Sequence, residues 1–382
     1  SPKLDSKTSQ KSNSKSKSPK IQRAKTSDSK KLTNSQKSKI KSFIRTIPIS
    51  IALASALSSQ AVAGWQLTGG SGSIIQCSNG DGQCITNNII MSAGNQINSS
   101  GSASNLTIDS GVMIDKDHTQ NGNMQNALFY ISTQAGTITN NGIIDLYFPR
   151  VISGTFRIEN SGSLAALNNT GSIKGSNIVF YIRAGGQIGT IINSGTINGS
   201  NANRGIFEIE GNSQIGGITL TGNGVISHDY NRDVFKLTNE SQIGDITLND
   251  NSSIRGNFNL SNSATIGTIT IGGNSTGGSG NNASLTGNIS LNGSSRISKI
   301  LIDGSNSSGA NGTPKLDGNI TLNTSNGITN GITIANGGTL DGNINAQSSS
   351  SIGGIAINNG SLAGNISLTN NARIQNGIVL DS

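Results

Sequence analysis

Short apolar/polar alternations return along most of this chain at a nearly constant step, and that recurrence limits the available folds more than any other feature. The stretch 256–271 holds two of them, joined by a small polar turn. Its first arm, Phe258-Asn259-Leu260, matches Phe129-Tyr130-Ile131, Phe156-Arg157-Ile158, Phe180-Tyr181-Ile182, Phe207-Glu208-Ile209 and Phe235-Lys236-Leu237. Later copies replace Phe by Ile, at Ile289-Ser290-Leu291, Ile320-Thr321-Leu322, Ile344-Asn345-Ala346 and Ile366-Ser367-Leu368. The second arm, Thr268-Ile269-Thr270-Ile271, returns as Gly217-Ile218-Thr219-Leu220, Asp245-Ile246-Thr247-Leu248, Lys299-Ile300-Leu301-Ile302, Gly331-Ile332-Thr333-Ile334, Gly354-Ile355-Ala356-Ile357 and Gly377-Ile378-Val379-Leu380.

Period-two alternation over such short runs, closed by Gly, Asn and Ser, describes strands rather than helices. A repeat of about 23 residues makes each pair of arms one coil of a solenoid. A single coil cannot bury its own apolar row, so coils must stack, with backbone hydrogen bonds passing to the coils above and below. Parallel rungs joined by right-handed crossovers predict an all-β fold, a right-handed parallel β-helix. Rungs lie roughly 4.7 to 4.9 Å apart, inside the roughly 4.5 to 7 Å at which aromatic rings attract. Phe129, Phe156, Phe180, Phe207, Phe235 and Phe258 therefore form one ladder on the apolar side. The 51 Gly, only 3% aromatic and 12% charged residues argue against a helix-rich enzyme core.

The formal net charge of +8 is concentrated at one end. Residues 1–45 carry more than half of the 27 Lys and Arg but only Asp5 and Asp28 of the 19 acidic residues, so the rest of the chain is slightly acidic. Such a Ser- and Lys-rich segment is disordered in composition and has the look of a nucleic-acid-binding arm. The next residues argue otherwise. Lys39, Lys41 and Arg45 precede the apolar run 47–57, then polar Ser58-Ser59-Gln60, then Ala61-Val62-Ala63 before Gly64. A basic region, a short apolar region and a small-residue A-x-A site are the parts of a secretory signal peptide, and the apolar run is too short to span a membrane. The organisation expected is 1–63 leader plus signal peptide, cut between Ala63 and Gly64; 64–125 capping coils; 126–382 repeats. No polar cap follows Leu380 and no Met opens the chain, so the sequence reads as part of a longer protein.

Cys77 and Cys84 are the only cysteines. An even pair in an exported chain reads as a disulfide; free thiols are the alternative, and two Cys cannot complete a structural zinc site. No metal or cofactor is expected. Asp115-Lys116-Asp117-His118 lacks further ligands, and the stretch 277–285 looks like one calcium nonapeptide with Asn282 in place of Asp. No nucleophile elbow, phosphate loop or H-E-x-x-H occurs, so no catalytic residue is assigned. The acidic residues look scattered, with none recurring in register.

The step from first arm to second hardly varies, whereas the return is variable in length, so insertions are expected to leave the coil at one corner and line up along one edge. Among them the stretch 221–233 carries His228, Tyr230 and Arg232, side chains suited to contact.

The basic leader, the signal peptide, the Gly/Asn/Ser-rich coils and phrases such as Asn193-Ser194-Gly195-Thr196-Ile197, Asn140-Asn141-Gly142-Ile143 and Asn169-Thr170-Gly171-Ser172-Ile173 resemble the passenger of a Gram-negative type V autotransporter. The resemblance covers essentially the whole chain as style and period, not as an invariant motif. It implies export to the bacterial cell surface through a C-terminal β-barrel translocator, and a non-enzymatic adhesin or display stalk that meets molecules of host cells or sister cells, with no nucleic-acid partner. The other class weighed is a β-helical polysaccharide lyase or hydrolase.

Overall fold

The computed structural model describes residues 64–381 apart from 93, 117–126, 147–153, 176–177, 201–203, 230–231, 274–280 and 306–311. The leader, Ala61, Ala63, His118 and Tyr230 lie outside the described residues. No helix occurs among the described residues; strands stack into three sheets of 12, 16 and 11 strands. One coil runs Phe156–Ile158 in the first sheet, Ser163–Asn169 in the second and Ser172–Gly175 in the third, then re-enters the first at Phe180–Ile182. Beyond the N-terminal antiparallel pairs each strand pairs in parallel with its counterpart one coil away, so Phe129, Phe156, Phe180, Phe207, Phe235, Phe258, Ile289 and Ile320 form one register column. The protein is a parallel β-solenoid.

Inside, the six Phe rings are fully buried. Consecutive centroids lie 4.6, 4.9, 4.5 and 4.8 Å apart, with ring planes nearly parallel, up to Phe235. Phe258 is tilted by 51°, at the rung where Ile289 takes over and no further ring demands stacking. At the N-terminal end Gly64–Thr68 pairs antiparallel with Gln96–Ser100, which ends the parallel ladder. Trp65 meets Phe129 edge-on at 6.4 Å, and its indole N–H donates to the Ser104 carbonyl at 2.8 Å. Cys77 and Cys84 form a disulfide across the antiparallel pair Ile75–Gln76 and Gln83–Ile85.

The coil differs from the sequence expectation in three ways. It averages about 27 residues, not about 23, because equivalent Asn positions lie between 22 residues (Asn343 to Asn365) and 31 residues (Asn257 to Asn288) apart. The return segment is itself a strand. Ile144, Ile173, Ile197, Ile226, Ile254 and Leu285 fill the third wall, but most of these strands contribute a single inward aliphatic residue, and only Ile144-Asp145-Leu146 alternates.

Insertions leave at two corners, not one. Between the third and first sheets they separate Ile143–Leu146 from Phe156–Ile158 and Thr196–Gly199 from Phe207–Glu210; between the second and third they separate Thr265–Gly272 from Ser284–Thr286 and Arg296–Asp303 from Lys315–Asp317. What seals the opposite corner explains the switch. In early coils the second-to-third corner is locked by a buried Asn ladder, in which Asn140 Nδ2 donates to Asn169 Oδ1 and Asn169 Nδ2 to Asn193 Oδ1, both at 2.7 Å. In later coils the third-to-first corner is locked by Gly-Asn steps. The Oδ1 of Asn257, Asn288, Asn319 and Asn343 each accepts the backbone N–H of the Asn one coil on, at 2.8 to 2.9 Å. The glycines there are sterically required, since a Cβ at Gly318 would stand 2.1 Å from the Gly287 carbonyl oxygen.

Candidate functional site

In each strand of the first sheet the residue between the two inward apolar side chains points outward. Register stacks these residues into a column: Tyr130, Arg157, Tyr181, Glu208, Lys236, Asn259. The residues at or just past the strand ends add a second column containing Glu159, Arg183 and Glu210. The acidic residues here therefore do recur in register, contrary to the expectation of scatter, and they alternate with cations. Superposing the phrases Phe-Arg-Ile-Glu, Phe-Tyr-Ile-Arg and Phe-Glu-Ile-Glu exposes this signal.

Glu159 is the hub. Its side chain is 8% exposed, and the carboxylate accepts from Tyr130 Oη at 3.0 Å, Arg183 Nε at 2.7 Å and Arg157 Nη2 at 2.8 Å. Burial pushes its pKa up, but the hydrogen bonds from Arg183, Arg157 and Tyr130 outweigh it and hold the carboxyl below its ordinary range. Tyr181 Oη donates to Glu210 Oε1 at 2.7 Å, and the Arg183 guanidinium lies 5.3 Å from the Tyr181 ring centroid, a cation–π arrangement. Burial, then the carboxylate hydrogen bonds, raise the pKa of both tyrosines.

Toward the Arg204 loop the face opens into a cleft of about 200 Å³ lined by Arg204, Gly205, Glu208, Arg232, Asp233, Lys236 and Asn257. Glu208 forms its floor and binds Arg204 Nη1 at 2.9 Å, with Lys236 Nζ 4.0 Å away. Asp233 accepts from Asn259 Nδ2 at 3.3 Å, and burial raises its pKa above the usual carboxylate value. A second polar cleft, on the third sheet, contains the Asp145–Lys174 ion pair at 3.4 Å and the hydrogen bond from Asn198 Nδ2 to Asp229 Oδ1 at 2.8 Å.

His228 does not stand in a loop. It ends the third-sheet strand Val225–His228, is 5% exposed, and its Nε2 stands 2.9 Å from the Arg204 carbonyl oxygen. Phe207 requires that loop to turn inward directly after Arg204, and the imidazole satisfies the backbone oxygen this turn would strand. Arg232 is exposed at the cleft. Arg204, Glu208 and Lys236, which sequence reasoning passed over, stand beside it because successive coils bring them there. Comparison with known proteins finds no family model, no curated protein and no solved structure that matches this chain.

Proposed function

We propose that this protein is an exported surface protein of the autotransporter-passenger type, and that it works by contact, through the outward face of its first sheet from Tyr130 to Lys236. The observation carrying this reading is the network itself. Tyr, Arg and Glu side chains hold one another in fixed positions on an extended face, as a recognition surface requires, and the hub carboxylate Glu159 is held ionised by two guanidinium groups, which does not suit a general acid. The leader, the signal-like segment and the solenoid agree with passage through a β-barrel translocator and display toward host or sister cells.

Replacing the network by the residue types of the later coils, Arg157→Ser, Tyr181→Thr and Arg183→Asn together, tests the contact role. Cells displaying the protein should lose adherence while surface labelling and circular dichroism still report a folded, exported solenoid. Undiminished adherence by that folded variant, or failure to find the parent outside the cell, overturns the proposal. A second reading, a polysaccharide-active enzyme, draws on Asp233, whose raised pKa beside Arg204, Arg232 and Lys236 suits a proton donor. Release of reducing ends from acidic polysaccharide, abolished by Asp233→Asn, would favour it.

A further inference from the structure

The cleft beside Lys236 is asymmetric in depth. Its carboxylate floor is already engaged: Glu208, with a side chain 9% exposed, takes Arg204 at 2.9 Å and the Gly205 backbone N–H at 3.4 Å. Its rim is cationic and open, with the side chains of Arg204 and Lys236 each 43% exposed and Arg232 exposed beside them. An approaching molecule meets the positive rim before the negative floor.

The rim is also built rather than incidental. The Arg204 backbone is held by His228, and the Ile206 N–H donates to the Asp233 carbonyl at 3.2 Å. A Cβ on Gly205 would lie 2.8 Å from that same oxygen. The loop bearing Arg204 is thus pressed onto the coil bearing Arg232 and Asp233, which brings cations from successive coils to one place. The Arg232 carbonyl accepts the Asn257 N–H at 2.8 Å, tying in the next coil as well.

We propose that the cleft walled by Arg204, Arg232 and Lys236 holds a carboxylate or sulfate group of an acidic polysaccharide lying along the first sheet. This ligand class rests on the reading of that sheet as the contact surface. Tyr181 on one side and the amide-bearing Asn257 and Asn259 on the other offer ring and hydroxyl partners to the flanking sugars. Charge spacing separates a glycan from a nucleic acid. A duplex presents about one negative charge per 1.7 Å of axis, so several phosphates would face Glu210 and Asp233, which lie on adjacent strands about 4.8 Å apart along the stack. A polymer with one charge per sugar can seat that charge between them.

The test uses the full chain with immobilised polygalacturonate, heparin and methyl-esterified polygalacturonate, so that carboxylate, sulfate and uncharged polymer are compared. The basic segment 1–45 is common to every form, so the readout is the difference between variants. The triple Arg204→Gln, Arg232→Gln, Lys236→Gln should lose at least about tenfold in affinity for one or both charged polymers. The third-sheet double Lys174→Gln, Arg255→Gln should stay within about twofold of the parent. The rim variants Arg204→Lys and Arg232→Lys, which keep the charge, should retain binding and guard against a misfolded triple. Equal binding by the triple and the third-sheet double overturns the site, and so does parent binding to the ester that matches polygalacturonate. Loss of adherence in the Arg157, Tyr181, Arg183 variant with no affinity difference in the rim triple would keep the contact surface and remove the acidic glycan.

Discussion

The coils before Phe258 and those after Asn288 share one backbone path but solve the same stacking problem with different side chains. In the earlier coils stacked, nearly parallel Phe rings fill the first wall, buried Asn140, Asn169 and Asn193 lock the second-to-third corner of the first of them, and the outward face carries Tyr, Arg and Glu. In the later coils Ile289, Ile320 and Ile344 take the Phe positions, surface Gly-Asn steps lock the other corner, and the outward residues are Ser290, Thr321 and Asn345. Apolar burial and a hydrogen-bonded corner are needed in every coil; a charged outer face is not. On the first sheet that charged face is confined to the earlier coils.

The largest difference between the two regions should lie in the ladder. Phe207→Ala leaves a cavity between two stacked rings and should cost about 3 to 5 kcal/mol, against about 2 to 5 kcal/mol for Ile320→Ala in the aliphatic region. Because coils hold mainly their neighbours, hydrogen exchange should speed up around Phe180 and Phe235 and leave the coils after Asn288 protected. Uniform loss of protection along the chain would show that the two regions unfold as one unit and that the comparison has no energetic content.

Next is the buried Asn corner. Asn169→Leu removes the acceptor of Asn140 and the donor to Asn193 at once, stranding buried polar atoms at about 1 to 3 kcal/mol each. The ladder ends where Leu220 takes the column, so apolar residues fit this corner. The triple Asn140→Leu, Asn169→Leu, Asn193→Leu should therefore cost less than the sum of the three single changes, because no ladder amide is left without its neighbour, while the carbonyls of Ser172, Thr196 and Val225 each lose a side-chain donor. A urea series in which the three losses simply add would refute the ladder as a coupled unit.

Smaller still is the charged face. Glu159→Gln weakens hydrogen bonds from two guanidinium groups and should cost about 1 to 3 kcal/mol near neutral pH. Its folded pKa is lowered, so the stabilisation is fully present above the unfolded value and is lost as pH falls through the folded one. The gap between parent and variant should close on acidification, and a gap that widens instead would contradict the network.

Strands and their stacking were legible because alternation is local and because a repeat displays it many times over. The Phe column needed only one residue type at one phase. The third strand was hidden, since Ile173 and Ile197 sit singly among Ser, Thr, Asn and Gly and gain meaning only in register. The cleft was hidden for a related reason: Arg204 and Arg232 lie in separate coils and Glu208 and Lys236 in paired strands, so proximity in sequence favoured the dense run around His228 instead. That run misleads because one of its members faces the core, where its polar atom serves the backbone of the preceding coil.

Asp233 gives the smallest expected effect and the opposite sign. Burial raises its folded pKa above the unfolded value, even though Asn259 donates to it and Lys236 stands near. A raised value means that the protonated form is favoured in the fold, so the contribution to stability is complete below the unfolded pKa and declines as pH rises through the folded one. Asp233→Asn keeps an acceptor for Asn259 and removes the half-buried charge. It should therefore match or exceed the parent in stability near neutral pH, by under about 1 kcal/mol once solvent screening is allowed for, and the advantage should vanish in acid. Urea unfolding of both forms across the acid range would register this, and a variant less stable than the parent at neutral pH would mean that the rim cations stabilise the carboxylate more than burial opposes it. The same variant sharpens the functional contrast: removing a negative charge from the rim should tighten polygalacturonate binding if the cleft only holds the polymer, and should abolish cleavage if Asp233 donates a proton to it.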